Sequence, residues 1–180
     1  MSLHFHTLTV TEVVEETADS RSFVFDIPEP LRSAYAYQPG QFLTFEVPFA
    51  DFAIRRCYSL SSAPESDALH KVTVKRVPDG RMSNLVIDTL QKGSEISVGT
   101  PDGRFLLVPD AGRRPLCLYA GGSGITPVIS LMKSALVTTE RPILLVYANR
   151  DEASVIFRDE LAALDRKSTR LNSSHATLSR

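Results

Sequence analysis

The sequence predicts a β barrel followed by an α/β unit, and two observations carry this prediction. In the first half, short runs of alternating polar and apolar residues are separated by turn residues such as Pro39-Gly40, a pattern typical of an antiparallel barrel or sandwich. After Pro115 the apolar runs become continuous and alternate with helical patterns. That second pattern indicates a parallel βαβα arrangement.

Six strands are expected in the first half, because each segment alternates with one apolar face. They are Thr7–Glu15, Ser22–Ile27, Gln41–Val47, Ile54–Leu60, Lys71–Val77 and Glu95–Val98. One helix is predicted between the last two strands, at Ser83–Gln91, and Gly93 would end it.

The second half is predicted to hold two buried strands and two helices. The strands are Leu116–Ala120 and Ile143–Tyr147; the helices cover about 128–136 and Ala153–Leu164. The patterns change near 111–115, so we expect one domain at residues 1–112 and a second at 113–164.

Composition excludes several classes of protein. The 180 residues carry a net charge of −1, which argues against a nucleic-acid or anionic-membrane partner. No apolar run is long enough for a membrane span, and residues 1–10 do not form a signal peptide. Cys57 and Cys117 are too few for an iron–sulfur cluster, and nothing requires an oxidising compartment, so we expect a cytoplasmic protein. His4 and His6 lack a third ligand, so no metal site is predicted.

Residues 165–180 differ from the rest of the chain because they show no periodicity. They resemble the forward translation of a sequencing adapter. We therefore expect a disordered, non-native tail, whose His175 has no functional role, and a natural protein that continues differently. The source DNA tests this: ordinary genomic sequence across Asp165 would contradict it.

Arg56 and Tyr58 are the first candidate binding residues. They lie two positions apart on a predicted strand, so both side chains face the same way. A guanidinium can clamp a pyrophosphate and a phenol ring can lie flat on an isoalloxazine, which together suit a flavin nucleotide. The alternative is a surface contact between a cation and an aromatic ring.

The segment Gly80–Asn84 is a second candidate, because a turn there leads into the predicted helix. Ser83 is expected to cap that helix, whose free N–H groups suit a phosphate. The alternative is a plain turn with a serine cap.

A third candidate, Gly121–Pro127, follows a buried strand and opens a helix. Its glycines would let a pyrophosphate approach the backbone, with Thr126 as N-cap and Pro127 as the first helical residue. A purely structural glycine turn is the alternative. Three such sites favour two bound nucleotides, one in each domain.

Several motifs of the chain together resemble the ferredoxin–NADP⁺ reductase superfamily, in the family's order and approximate spacing. They are Arg56–Leu60, Val74–Arg76, Gly80–Asn84, Gly99–Phe105, Gly121–Pro127 and Val146–Arg150. Within the superfamily the chain resembles the reductase components of phenylacetyl-CoA epoxidation and 3-ketosteroid 9α-hydroxylation. The resemblance implies a six-stranded antiparallel Greek-key FAD-binding barrel and a truncated parallel βαβα nucleotide-binding domain.

The resemblance also implies roles for residues of the first domain. Arg56 would hold the FAD pyrophosphate, Tyr58 would stack on the isoalloxazine and Ser59 would lie near flavin N5, which makes Tyr58 and Ser59 the catalytic pair. Val74 and Lys75 would contact the flavin side, partly through their backbone. Three further residues would close over the pyrophosphate: Arg81, Met82 and Ser83.

In the second domain, the resemblance implies a site for NAD(P)H. The pyrophosphate and nicotinamide ribose would lie against Gly122, Ser123, Gly124 and Thr126. Asn149 and Arg150 would lie near the adenosine ribose. Arg150 could read a 2′-phosphate or form an ion pair with Asp151 or Glu152.

The activity that the resemblance implies is that of an FAD-dependent NAD(P)H oxidoreductase, the reductase of a multicomponent oxygenase. Hydride would pass from NAD(P)H to FAD, and single electrons would then reach an iron–sulfur centre expected only in the missing part. The full-length protein's partner would be a terminal oxygenase component. Two alternatives stay open: a stand-alone flavin or ferredoxin reductase, and a non-catalytic flavin-binding module.

Overall fold

The fold begins with six antiparallel strands in one sheet. The computed structural model describes residues 4–49, 52–107 and 114–177. The strands are β1 Phe5–Thr17, β2 Ser20–Phe25, β3 Phe42–Phe49, β4 Phe52–Ser59, β5 His70–Lys75 and β6 Glu95–Gly99. Each of the six predicted strands is therefore present, with ends that differ by no more than two residues.

The strand order is β4-β3-β6-β1-β2-β5, and every pair is antiparallel. The two edge strands approach each other where an isolated antiparallel bridge joins Leu60 to Val72. The Ser61 amide donates to the Lys71 carbonyl there, over 2.8 Å. This junction places the end of β4 beside β5.

The apolar faces of the six strands form one core. Leu8, Phe23, Phe45, Val72 and Val98 are fully buried in it. A single helix, α1 (Arg81–Thr89), covers part of this core through Met82, Val86 and Ile87. A short 3-10 helix lies at Glu29–Leu31.

The second part is a parallel sheet of three strands with two helices. Its strands are β7 Leu116–Gly121, β8 Ile143–Asn149 and β9 Leu171–Thr177, in the order β7-β8-β9. Its helices are α2 Ile125–Thr138 and α3 Arg158–Lys167, with 3-10 turns at Gly122–Gly124 and Glu152–Ser154. The connection from β7 through α2 to β8 and the connection from β8 through α3 to β9 cross over in the same direction. Both helices therefore lie on one face of the sheet.

That face carries Leu118, Leu145 and Tyr147, which pack with both helices in a second core. On the opposite face of β7, Cys117 is exposed and Tyr119 is 70% exposed. The alternation of buried and exposed residues along β7 thus follows the position of α2 and α3.

Two predictions about domain limits need comment. The expected disorder of residues 165–180 is wrong for residues 165–167, which form the last turn of α3. It is also wrong for Leu171–Thr177, which pair with β8 in seven successive register positions. Whether residues 165–180 are native stays a prediction. The predicted boundary between residues 112 and 113 lies outside the described residues.

None of the helices in the described ranges is both long and apolar enough to cross a membrane.

Candidate functional site

A cavity of about 510 Å³ lies between the two parts of the chain. Its size falls within the usual range of small-molecule sites, about 300–1,000 Å³. It is lined by Arg56, Cys57, Tyr58, Ser59, Thr73, Lys75, Val77, Gly80, Arg81, Met82, Ser83, Ser123, Gly124, Thr126 and Pro127. All three segments singled out in the sequence therefore meet at one cavity.

The end of β4 forms one wall of the cavity with the four consecutive residues 56–59. In a regular strand, side chains alternate between the two faces, so these four cannot all border the cavity through side chains of a flat strand. Part of this wall is therefore backbone or a twisted strand end.

Tyr58 presents a half-buried neutral ring to this wall. Its ring lies 5.3 Å from that of Phe45, in a tilted arrangement. Burial raises the pKa of Tyr58 to about 12, although the Arg56 charge opposes that shift. The phenol is therefore protonated at neutral pH and can act as a flat surface or as a hydrogen-bond donor.

Arg56 supplies a fixed positive charge beside that ring. Its guanidinium is exposed and donates to the Arg55 carbonyl over 2.7 Å. Arg55 itself turns away and pairs with Glu46 at 2.6 Å. Of these two adjacent arginines, only Arg56 borders the cavity.

The start of α1 forms a second wall. The N-cap of this helix is Gly80 and not Ser83, so the predicted serine cap is wrong. The Ser83 hydroxyl instead accepts from the Val77 amide over 3.1 Å and closes the preceding turn. A Cβ added at Gly80 would lie 2.8 Å from both Ser83 Oγ and Val77 Cβ, so this turn needs glycine.

β5 contributes Thr73 and Lys75 to the cavity, while Val74 between them faces the core. Because Val74 is fully buried, only its backbone could contact a ligand. Lys75 is largely buried and lies 3.5 Å from the Asp19 carboxylate. Its ammonium adds to the positive charge of Arg56 and Arg81.

The glycine turn after β7 closes the cavity from the second domain. The N-cap of α2 is Gly124, and Thr126 lies inside the helix, where its hydroxyl donates to the Ser123 carbonyl over 3.0 Å. The predictions of Thr126 as N-cap and Pro127 as the first helical residue are therefore wrong.

The backbone of this turn is nevertheless open. A Cβ added at Gly121, Gly122 or Gly124 would meet no atom within 4 Å. Gly122 also has φ +49°, a left-handed conformation that favours glycine. Four residues of this turn were assigned to the NAD(P)H pyrophosphate and ribose. Three of them, Ser123, Gly124 and Thr126, line the cavity, and Gly122 does not.

Asn149 and Arg150 lie at the end of β8 and do not line the cavity. Asn149 is buried, whereas the side chain of Arg150 is 75% exposed and lies 3.5 Å from Asp19 of the first domain. The two ion pairs considered for Arg150 in the sequence do not form. Asp151 accepts from Ser154, and Glu152 pairs with Arg158.

Two cavity residues lie outside the segments singled out in the sequence: Thr73 and Val77. Three others, Cys57, Gly80 and Pro127, lie within those segments but were not assigned a contact with a nucleotide. Thr73 had a signal, because it lies two residues before Lys75 on a strand and shares its face. Among the described residues, no group of three or more histidine, cysteine or acidic side chains could hold a metal ion.

Comparison with known proteins gives two family matches. Residues 7–106 match the family described as "Oxidoreductase FAD-binding domain", and residues 118–180 match "Oxidoreductase NAD-binding domain". The first match covers more than half of the chain.

Two curated relatives are named as parts of a monooxygenase and of an epoxidase. The 3-ketosteroid-9-alpha-monooxygenase ferredoxin reductase component of Rhodococcus rhodochrous is 51% identical over 93% of this chain and 48% of its own length. One of the subunits of 1,2-phenylacetyl-CoA epoxidase from Escherichia coli K12 is 38% identical over 91% of this chain and 46% of its own length. The predicted resemblance is confirmed, and this chain spans about half the length of the relatives.

One similar solved structure is a ferredoxin NADP⁺ reductase from Neisseria gonorrhoeae with bound FAD and NADP. It is 27% identical, with a TM-score of 0.79, and the match covers 96% of this chain and 68% of that one. The predicted combination of an antiparallel flavin-type sheet and a parallel nucleotide-type sheet is thus confirmed.

Proposed function

We propose that this chain, which belongs to the family of oxidoreductase FAD-binding domains, is the flavin and nicotinamide part of an oxygenase reductase. One observation carries the proposal: Arg56 and Tyr58 share a cavity with the glycine turn that opens α2. A cation and a ring on one wall, and an open backbone on the other, suit two nucleotides that must meet.

The residues of the first domain fit FAD. Arg56, Lys75 and Arg81 supply positive charge for a pyrophosphate, and the start of α1 adds backbone N–H groups. Tyr58 offers a flat protonated ring for the isoalloxazine, with Ser59 beside it. Met82 and Ser83 are buried where α1 begins and border the same space.

The residues of the second domain fit NAD(P)H. Ser123, Gly124 and Thr126 line the cavity from the glycine turn, and Gly122 leaves the backbone open beside them. Asn149 and Arg150, at the end of the next parallel strand, are proposed to lie near the adenosine ribose. Ligands bind at the carboxyl ends of the strands in such sheets.

Bound FAD would accept a hydride from NAD(P)H and release electrons one at a time. The chain's own residues bind and orient the two nucleotides. Tyr58 keeps its proton at neutral pH, so it can donate a hydrogen bond without adding negative charge near the flavin.

Electron acceptors are proposed from the relatives, which are named as components of multicomponent oxygenases. The whole protein would pass electrons through an iron–sulfur centre outside this chain to a terminal oxygenase. We place it in the cytoplasm, where its nicotinamide substrate is produced.

The flavin proposal is tested by loading the purified chain with FAD and measuring visible absorbance. We expect the wild type to become yellow and the double variant R56A/Y58A to stay colourless. The variant loses one charge-assisted contact and one stacking surface, so its dissociation constant for FAD should rise by about tenfold to hundredfold.

The matched control is R55A, because Arg55 is adjacent to Arg56 but pairs with Glu46 away from the cavity. This variant should bind FAD like the wild type. A colourless wild type would overturn the flavin proposal, and equal loss in R55A would assign the effect to general strand damage.

A further inference from the structure

An ion network of four alternating charges joins the two domains outside the cavity lining. Asp67 and Lys71 belong to the first domain, and Lys133 and Glu160 belong to the second. The Lys133 ammonium lies 2.7 Å from Asp67 and 2.7 Å from Glu160, and the Lys71 ammonium lies 2.8 Å from Glu160. The order Asp67, Lys133, Glu160, Lys71 therefore contains two ion pairs that join the domains.

Lys133 is the most deeply buried member of this ion network, with only 5% of its side chain exposed. Lysine is almost never buried so completely unless its charge is paired. Moving an ammonium out of water costs several kcal/mol, as an order of magnitude, and this cost is offset only by well-placed partners. Two carboxylates at hydrogen-bond distance meet that requirement, so the position of Lys133 depends on both domains.

The same face of α2 makes a second contact with the first domain. Ser130 lies one turn before Lys133, and its hydroxyl donates to the Ser62 carbonyl over 2.6 Å. Both Ser62 and Ser130 are fully buried. The two contacts are three residues apart on one helix, so together they fix both the position and the rotation of α2.

The elements joined by these contacts are those that line the cavity. Ser62 and Asp67 follow directly after β4, which ends with the cavity residues Tyr58 and Ser59. In the second domain, Thr126 and Pro127 in the first turn of α2 also line the cavity. A shift of α2 against the segment after β4 would therefore change the distance between the two walls.

We propose that Lys133 is a positioning residue, whose buried ammonium holds the nicotinamide wall of the cavity at the distance from the flavin wall that hydride transfer requires. This inference rests on the proposed function. It assigns Lys133 no contact with either nucleotide, because Lys133 does not border the cavity.

The test variant is K133M, which replaces the ammonium by an apolar side chain of similar length. Both carboxylates keep a partner in this variant. Glu160 stays paired with Lys71, while Asp67 still accepts from the Ala63 amide over 2.6 Å. Removing one member of a buried ion pair is costly when the other member is left buried and unpaired. Both carboxylates here keep a partner and are 28% and 30% exposed, so we expect the variant to fold.

Two measurements on the full chain test the proposal. In the first, FAD-loaded protein is mixed with increasing NADH without oxygen, and flavin reduction is followed by absorbance. We expect K133M to bind FAD within about twofold of the wild type and to keep the half-saturating NADH concentration. Its limiting rate should fall about tenfold to hundredfold, since a displacement of about 1 Å can cost 10²-fold.

The second measurement is hydrogen–deuterium exchange of the cofactor-free chain. We expect faster exchange in K133M across residues 125–138 and 60–67, with unchanged exchange in β1 and β2. The control for both measurements is K92M, because Lys92 is exposed and forms no ion pair among the described residues. K92M should match the wild type in rate and in exchange.

A wild-type limiting rate in K133M would overturn the positioning role, as would unchanged exchange in both segments. A lower melting temperature with an unchanged rate would mean that Lys133 stabilises the fold only, which also overturns it. If the wild type binds no FAD, the proposed function fails separately. The exchange measurement then still decides whether Lys133 holds α2 against the first domain.

Discussion

Ser61 Oγ lies 2.8 Å from Thr73 Oγ1 and joins the segment after β4 to β5 inside the protein. The Thr73 hydroxyl also lies 2.7 Å from Ser22 Oγ, and all three side chains are buried. Thr73 lines the cavity as well. One hydroxyl therefore holds two strands and the segment after β4 in place beside the candidate flavin site.

We expect T73V to lower the free energy of unfolding by about 1–2 kcal/mol. Valine keeps the shape of threonine but leaves two buried serine hydroxyls with one partner fewer. Denaturant unfolding measures the change. The control is T89V, because the Thr89 hydroxyl is exposed and donates only to the Leu85 carbonyl. That variant should stay within about 0.5 kcal/mol of the wild type, and an equal loss in both would contradict the role of Thr73.

Gly40 and Gly93 provide a matched pair of substitutions. Both have left-handed backbones, with φ +91° and +89°. A Cβ at Gly40 would lie 1.9 Å from the Phe105 carbonyl oxygen and 3.3 Å from Leu131 of α2, whereas a Cβ at Gly93 would meet nothing within 4 Å.

We therefore expect G93A to cost about 1–2 kcal/mol, from backbone strain alone. G40A should cost about 3 kcal/mol or more, because a backbone must also move. Thermal unfolding of both variants measures the difference. Similar melting temperatures for the two would show that the Pro39-Gly40 turn does not pack as described.

Because of the ion network of Asp67, Lys133, Glu160 and Lys71, we expect the free energy of unfolding to depend on pH in the acid range. Burial opposes the charged form of Glu160, but the charges of Lys71 and Lys133 and their hydrogen bonds outweigh it and hold the pKa below its ordinary value of 4.5. A carboxyl whose pKa is lower in the folded state stabilises the protein above the unfolded pKa. That contribution is lost as the pH falls through the folded pKa.

We expect E160Q to be about 1–3 kcal/mol less stable than the wild type at pH 7, with a shallower loss of stability below about pH 4.5. Denaturant unfolding between pH 7 and pH 3 measures both quantities. The control is E12Q, since Glu12 is exposed on β1 and its replacement should leave the stability at pH 7 within about 0.5 kcal/mol of the wild type. Parallel curves for E160Q and the wild type would contradict the role of Glu160.

Much of the fold could be predicted because its signals are local. The alternation in β1 to β6 and the continuous apolar runs of β7 and β8 depend only on neighbouring residues. The strand β9 was missed because Leu171–Thr177 has one large apolar residue in seven. It pairs through its backbone, which any sequence without proline can do.

The cavity lining was partly predictable: Arg56 and Tyr58 were singled out because they lie two positions apart on one strand, and both border the cavity. Their roles toward a flavin stay a prediction. A side chain's contact was not predictable where several nearby hydrogen-bond partners compete for it. Ser83 could cap α1 or accept from the Val77 amide, and only the path of the turn decides between them. The contact of Arg150 with Asp19 joins positions 131 residues apart, so no local pattern could indicate it.

The uncovered face of the three-stranded sheet has a practical consequence in solution. Tyr119 projects from this face on β7, which is an edge strand of the sheet among the described residues. Exposed edge strands beside apolar side chains are sites of self-association. Titrations of this chain with a nucleotide should therefore be repeated at several protein concentrations. Measuring the apparent molecular mass at several protein concentrations without nucleotide separates such association from nucleotide binding.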